Sequence, residues 1–226
     1  MPPMENLGFE WAGMQRLGVL GGTFDPIHYG HITAAAAVSE RLALDRVVFI
    51  PAGQPPHKTG RQISSASHRL MMCLLATAAR ADWSVSRVEL SRAGSSYTIQ
   101  TLEQLRSRVG PDCELVFIAG ADMALDLVNW YRPDAILQEA RFVAVQRPGY
   151  DLSRLADVLG AARAKRVERV TVDTPDVSGT EIRQRVADGR PITELTLSGV
   201  AAYIDAAGLY ARTDHGTLTA AKREDR

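Results

Sequence analysis

Along most of its 226 residues the chain alternates short apolar, β-branched runs with longer amphipathic or alanine-rich stretches. Strands are expected at Leu17–Leu20, Arg46–Ile50, Val85–Leu90, Glu114–Ala119, Arg141–Gln146 and Val167–Val172. Helical patterns occupy His31–Leu42, Ser67–Ala79, Thr98–Val109 and Leu152–Ala164 between them. Short strands separated by whole helices do not pair as hairpins; they call for βαβ units. The expected fold is therefore α/β, a Rossmann-like parallel sheet with helices on both faces. Toward the C-terminus the pattern turns helical at Gly179–Ala187 and Thr196–Ala207, with Gly208 as a stop, which adds a small helical part. Ligands of such sheets bind beyond the carboxyl ends of the strands, so the loops that follow strands carry the functional information.

No internal repeat or low-complexity linker interrupts the pattern, so a single domain is expected over residues 16–210. Met1–Gln15 has neither motif nor periodicity and is expected to be a disordered extension, with Met14 a candidate start; Ala211–Arg226 ends in a run of charges and reads as a polar tail. With 46% hydrophobic and 23% charged residues the chain is not of the disordered class. Its 26 basic and 26 acidic side chains cancel, which excludes a nucleic-acid-coating protein but allows a local basic pocket for a phosphorylated ligand. Cys73 and Cys113 have no paired spacing, so neither a zinc site nor a disulfide framework follows, and a cytoplasmic location is expected. Pro26–Ser39, the longest stretch without Asp, Glu, Lys or Arg, is too short and polar to cross a bilayer. A homo-oligomer is left open.

The first strand runs into Gly21-Gly22-Thr23-Phe24-Asp25-Pro26-Ile27-His28-Tyr29-Gly30-His31. Glycines at a strand end let backbone amides approach phosphate oxygens, and the positive end of the following helix favours anions. His28 and His31, three apart, can share one side of that helix start. Read alone, the pair fits a capped turn as well as a ligand site. A dinucleotide fingerprint and a Walker loop are both absent, and no further ligands accompany the histidines to hold zinc. After the last strand, Ser178 and Thr180 offer hydroxyls at a helix start, and Arg183 projects a guanidinium three residues on.

Gly22-Thr23-Phe24-Asp25-Pro26-Ile27-His28-Tyr29-Gly30-His31 resembles the nucleotide-binding signature of the H-x-G-H nucleotidyltransferases. Val177-Ser178-Gly179-Thr180-Glu181-Ile182-Arg183 is similar to their I-S-x-T-x-x-R motif, which contacts ATP phosphates. From about Arg16 to Tyr210 the intervening segments resemble nicotinate-nucleotide adenylyltransferases. These are Pro51–Lys58, Ser95–Leu102, Gly120-Ala121-Asp122, Asn129-Trp130-Tyr131, Arg147-Pro148-Gly149-Tyr150 and the ending Tyr203–Tyr210. Singly each has a plain structural explanation: a helix cap for Asp122, partial core for Trp130, a surface charge for Lys58 or Arg147. Their shared order is what carries the resemblance.

The resemblance implies adenylyl transfer from ATP to nicotinate mononucleotide in NAD biosynthesis, releasing pyrophosphate. It assigns ATP to Gly21, Gly22, Thr23, Phe24, His28, His31, Gly120, Asp122, Ser178, Thr180 and Arg183, with His28, His31 and Arg183 as the catalytic set. It assigns the mononucleotide to Asp25, Lys58, Tyr97, Thr98, Ile99, Trp130, Tyr131 and Arg147. Magnesium is expected to arrive on the ATP phosphates, with no dedicated protein metal site. An adenylyltransferase acting on phosphopantetheine or nicotinamide mononucleotide, and a nonenzymatic nucleotide sensor, are the competing readings. Two departures stand out: Gly179 replaces a serine common in the family motif, and no proline precedes the final helix at Leu197–Val200.

Overall fold

A computed structural model of the chain describes residues 13–53, 63–146 and 152–212. Its centre is a six-stranded sheet of β1 (Arg16–Gly22), β2 (Arg46–Pro51), β3 (Trp83–Val85), β4 (Glu114–Gly120), β5 (Arg141–Gln146) and β6 (Val167–Thr171). Every pairing is parallel and the spatial order is β3-β2-β1-β4-β5-β6. Alternate residues of the strands feed two separate cores, as a period-two chain buried on both faces must. Leu17, Val19, Leu115, Phe117 and Phe142 face one layer, with α3 (Thr98–Val109), α4 (Ala121–Asp126), α5 (Pro133–Glu139) and α6 (Leu155–Leu159). Leu20, Phe49, Val116, Ile118 and Val143 face the other, with α1 (Tyr29–Arg41), α2 (Ala66–Thr77), α8 (Gly179–Ala187) and α9 (Ser198–Ala206). The short α7 (Ala161–Ala164) follows α6.

Two expected elements are corrected. The third strand is Trp83–Val85, not Val85–Leu90. Ser86 makes the last ladder bond, its N–H to Phe49 O at 2.9 Å, and its hydroxyl then takes the Val88 N–H at 3.3 Å, which turns the chain out of the sheet. Val88 is buried in a turn rather than in a strand, so its apolarity mimicked the strand pattern. The helix expected over Leu152–Ala164 is broken at Gly160, whose φ of 80° leaves the helical region and separates α6 from α7. At the N-terminus Met14 packs against the core, and the Gln15 and Arg16 N–H groups donate to Asp45 Oδ2 at 2.6 and 2.8 Å. Residues 1–12 and 213–226, most of the expected extension and tail, lie outside the described residues.

The C-terminal segment closes onto the loop after β1. Tyr210, 5% exposed, donates its hydroxyl to Asp25 Oδ1 at 2.6 Å, while Ser64 N–H donates to Oδ2 at 3.3 Å. Thr196, fully buried, donates to Ile27 O at 2.8 Å. Removing a hydrogen bond to a buried carboxylate costs more than removing a neutral one. Tyr210→Phe is therefore expected to lower the unfolding free energy by about 1.5–3 kcal/mol in urea titrations. A loss below about 0.5 kcal/mol, the scatter of ordinary surface changes, would show that the contact contributes nothing.

Candidate active site

Strand order reverses between β1 and β4, and the connections leaving these two strands run to opposite faces of the sheet. A crevice is left at their carboxyl ends. Two cavities open there and share Gly21, Gly22, Thr23 and Met123 as a common seam.

The first cavity, about 380 Å³, lies over α1 and the start of α8. All eleven residues assigned to ATP by resemblance line it: Gly21, Gly22, Thr23, Phe24, His28, His31, Gly120, Asp122, Ser178, Thr180 and Arg183. His28 caps α1 and is 4% exposed; the His31 ring lies 3.8 Å from the His28 ring, centroid to centroid, at a 34° tilt. His31 Nδ1 accepts the His28 N–H at 3.3 Å, so the neutral imidazole carries its proton on Nε2. Phe24 meets His31 edge-on at 5.0 Å and limits its rotation. Arg183 donates to Asp25 O, and to Thr180 Oγ1 at 2.9 Å, bridging the loop after β1 to the start of α8. Ser178 caps α8, accepting the Glu181 N–H at 3.1 Å and keeping its own proton to donate.

Glycine at 179, the departure noted in the sequence, sits where a side chain would fit only tightly. A Cβ there would stand 3.1 Å from Asp25 O and 3.2 Å from Arg183 Nη1, inside the bridge just described. At Gly22 a Cβ would meet the Phe24 ring at 2.9 Å, so the glycine lets that ring fold back over the strand end.

The second cavity, about 300 Å³, lies between β2, β4 and the N-terminus of α3. Tyr97, Thr98, Trp130 and Tyr131 line it, as assigned. Tyr97 and Tyr131 pair with centroids 4.7 Å apart, and Tyr131 is 53% exposed. Trp130 packs edge-on against Phe117 at 5.9 Å, and its Nε1–H donates to Asp126 Oδ2 at 3.2 Å. Two assigned residues sit elsewhere. Ile99 is 2% exposed and packs beneath α3 with Leu102 and Leu105; Asp25 borders the first cavity, its carboxylate bonded to Tyr210 and Ser64. Lys58 and Arg147 lie outside the described residues.

Glu89 and Asp126 also line the second cavity, and sequence reasoning missed both. Glu89 accepts the Thr101 hydroxyl at 2.9 Å and the Gly53 N–H at 3.3 Å. It comes from the turn mistaken for a strand, so no motif spacing pointed to it. Among the described residues no group of three or more His, Cys, Asp or Glu could hold a metal ion. No helix there is long and apolar enough to cross a membrane.

A model of the cytidylyltransferase-like family matches residues 19–185. A Thermoanaerobacter sp. (strain X514) protein named "Probable nicotinate-nucleotide adenylyltransferase" is 42% identical over 202 residues, 88% of this chain and 96% of the relative. The chain belongs to the nicotinate-nucleotide adenylyltransferase family. A relative of the same name from Mycobacterium tuberculosis (strain H37Rv) is 43% identical over 196 residues, 86% of this chain and 91% of its own. The fold matches that of Plasmodium falciparum nicotinic acid mononucleotide adenylyltransferase, solved complexed with APC (TM-score 0.68, 17% identity) and with NaAD (TM-score 0.66, 16% identity). Each comparison covers 87% of this chain and 97% of that one. The adenylyltransferase fold thus carries this crevice with its two cavities.

Burial pushes the Glu89 carboxyl above the usual glutamate range, while the bonds from Thr101 and Gly53 oppose the shift. A raised pKa means the folded state holds the proton more tightly, so its stabilising contribution is present at low pH. That contribution is lost as pH rises from the ordinary glutamate range through the raised value. Wild type is expected to lose stability relative to Glu89→Gln across that window, read as unfolding free energies at a series of pH values. A pH-independent difference would rule out this titration.

Proposed function

We propose that this adenylyltransferase transfers the adenylyl group of ATP to nicotinate mononucleotide, giving nicotinate adenine dinucleotide and pyrophosphate in NAD biosynthesis. The observation that carries the reading is the shared seam: a cavity of phosphate donors and a cavity of aromatic rings meet at Gly21–Thr23. Two phosphorylated substrates seated in them would bring their phosphates together there. The names of the close relatives support the same activity.

The mononucleotide 5′-phosphate oxygen attacks the ATP α-phosphorus in line; the new P–O bond forms as the bond to pyrophosphate breaks. That nucleophile is already an anion at neutral pH, so no protein base is required. The protein aligns two polyanions and stabilises charge on the transferring and leaving oxygens. His31 Nε2–H, His28 and Arg183 are the donors for this task, with the Ser178 and Thr180 hydroxyls beside them. Enzymes of this family use a divalent metal with ATP, and magnesium held by the ATP phosphates would neutralise the leaving group. Of the two carboxylates bordering that cavity, Asp25 is taken up by Tyr210 and Ser64, so Asp122 is the one we assign to face it.

Nicotinate mononucleotide is a zwitterion at its base, a cationic ring bearing a carboxylate. The second cavity offers both complements. α3 has no acid in its first turn, and its leading amides and the Thr98 hydroxyl favour the carboxylate. Trp130, Tyr97 and Tyr131 offer faces to the pyridinium, and Glu89 and Asp126 add negative potential around it. The two free, buried cysteines fit a reducing cytoplasm, and the balanced charge gives no reason to add a nucleic-acid partner.

Pyrophosphate release from ATP with each mononucleotide in turn tests this function. A carboxamide forfeits charge-assisted bonds of about 1.5–3 kcal/mol each, so two predict a preference for the acid of about a hundredfold or more in kcat/KM. Equal values would instead mark a dual-specificity enzyme. His31→Ala should keep its fold and lower kcat by at least about a hundredfold, the effect of losing one transition-state donor. Near-normal turnover would remove His31 from the catalytic set.

A further inference from the structure

Arg69, in the first turn of α2, is 3% exposed and lines neither cavity. Its Nη1 donates to Thr23 O at 3.0 Å and to Ala52 O at 2.7 Å; Nε donates to Ser64 O at 3.1 Å, and Nη2 reaches Gly53 O at 3.5 Å. One guanidinium thus holds carbonyls from the loops after β1 and β2 and from the approach to α2. Burial disfavours its charge, with Asp25 opposing that effect, yet an arginine stays protonated in proteins. Burying a charge in this way is a poor route to stability, since apolar replacements of buried ionic groups are often neutral or better. A role in the site accounts for it more directly.

The carbonyl and N–H of a trans peptide point to opposite sides. With Thr23 O drawn onto Arg69, the Phe24 N–H is turned away from the guanidinium. Thr23 and Phe24 line the histidine cavity and Arg69 lines neither cavity, an arrangement in which that N–H would be directed to the cavity side. The Ala52–Gly53 peptide is gripped from both sides, its carbonyl by Arg69 and its N–H by Glu89 Oε2 at 3.3 Å. Ala52 N–H donates to Gly22 O at 2.8 Å, which joins the two strand ends at the seam.

We propose that Arg69 is a positioning residue for adenylyl transfer: by holding the Thr23 and Ala52 carbonyls on one nitrogen it aims the Phe24 amide at the ATP phosphates and fixes the seam between the substrates. The kinetic part of this assignment rests on the activity proposed above. Lysine cannot replace the fork, because an ammonium offers a point charge without the planar spread of Nε, Nη1 and Nη2.

The test uses the full chain carrying Arg69→Lys or Arg69→Ala. Arg69→Lys is expected to stay folded at assay temperature, with a lowered melting temperature because buried carbonyls lose donors. At a temperature well below that melting point its kcat should fall by about tenfold to a hundredfold, the scale of a small misplacement of reacting groups. Its affinity for an ATP analogue with a methylene between the α- and β-phosphates, measured by calorimetry, should fall as well. Millimolar guanidinium should restore part of the turnover of Arg69→Ala and leave wild type unchanged. Kinetics of folded Arg69→Lys within about twofold of wild type, or activity lost only in step with melting temperature and not restored by guanidinium, would overturn the proposal. If Arg69→Ala does not fold, Arg69→Lys decides by kcat and analogue affinity. Wild-type pyrophosphate release, run alongside, tests the activity separately. Without it the activity fails, and unchanged analogue affinity in Arg69→Lys overturns the positioning role on its own.

Discussion

The reversal of strand order between β1 and β4 is the constraint on which the site depends. The chain leaves β1 for the face that carries α1 and leaves β4 for the face that carries α4 and α5. No crossover covers the strand ends between them, and the cavities open there. Gly21, Gly22 and Gly120 stand at those ends. The histidines sit on the helix leaving β1, while Trp130 and Tyr131 follow the helix leaving β4. The aromatic cavity and the histidine cavity are two sides of one topological feature.

Polar wiring behind that opening keeps it in shape. Asp25 ties the loop after β1 to Tyr210 and Ser64, Arg183 ties the same loop to α8, and Arg69 ties it to the end of β2. Two of these links bury a charged group, Asp25 and Arg69, which is tolerable only when every partner is in place. The result is a backbone fixed before any substrate arrives. Preorganisation of this kind is what an enzyme needs when its chemistry consists mainly of aligning phosphates.

Much of this was legible in the sequence. Five of the six strands lie where the apolar runs place them. The central strands are buried on both faces and so nearly apolar throughout, while β6, at the sheet edge, is marked by Val167 and Val170 alone. The residues that line the histidine cavity were legible too, since glycines, capping hydroxyls and histidines act close to their own position in the chain. Failures fall where burial without regular structure looks like a strand, as at Val88, or where one glycine such as Gly160 breaks a helical pattern. Ile99 shows a related limit: it stands beside Thr98 in sequence, but the helix turns its side chain into the core. Only its backbone, in the first turn of α3, is left to meet a ligand.

The sequence by itself determined the doubly wound sheet, the glycine-rich loop after β1 and the helix starts, because each is set by residues within a turn or two of one another. Only the tertiary structure decided which carboxylates line the cavities, how closely residue 179 is enclosed, and what Arg69 holds. Those outcomes depend on contacts between residues far apart in the chain: Asp25 with Tyr210, Arg69 with Thr23, and Arg183 with Asp25. A buried charge has no local signature. Arg69 in an amphipathic stretch reads like any solvated arginine until packing removes its water and leaves backbone carbonyls as its partners.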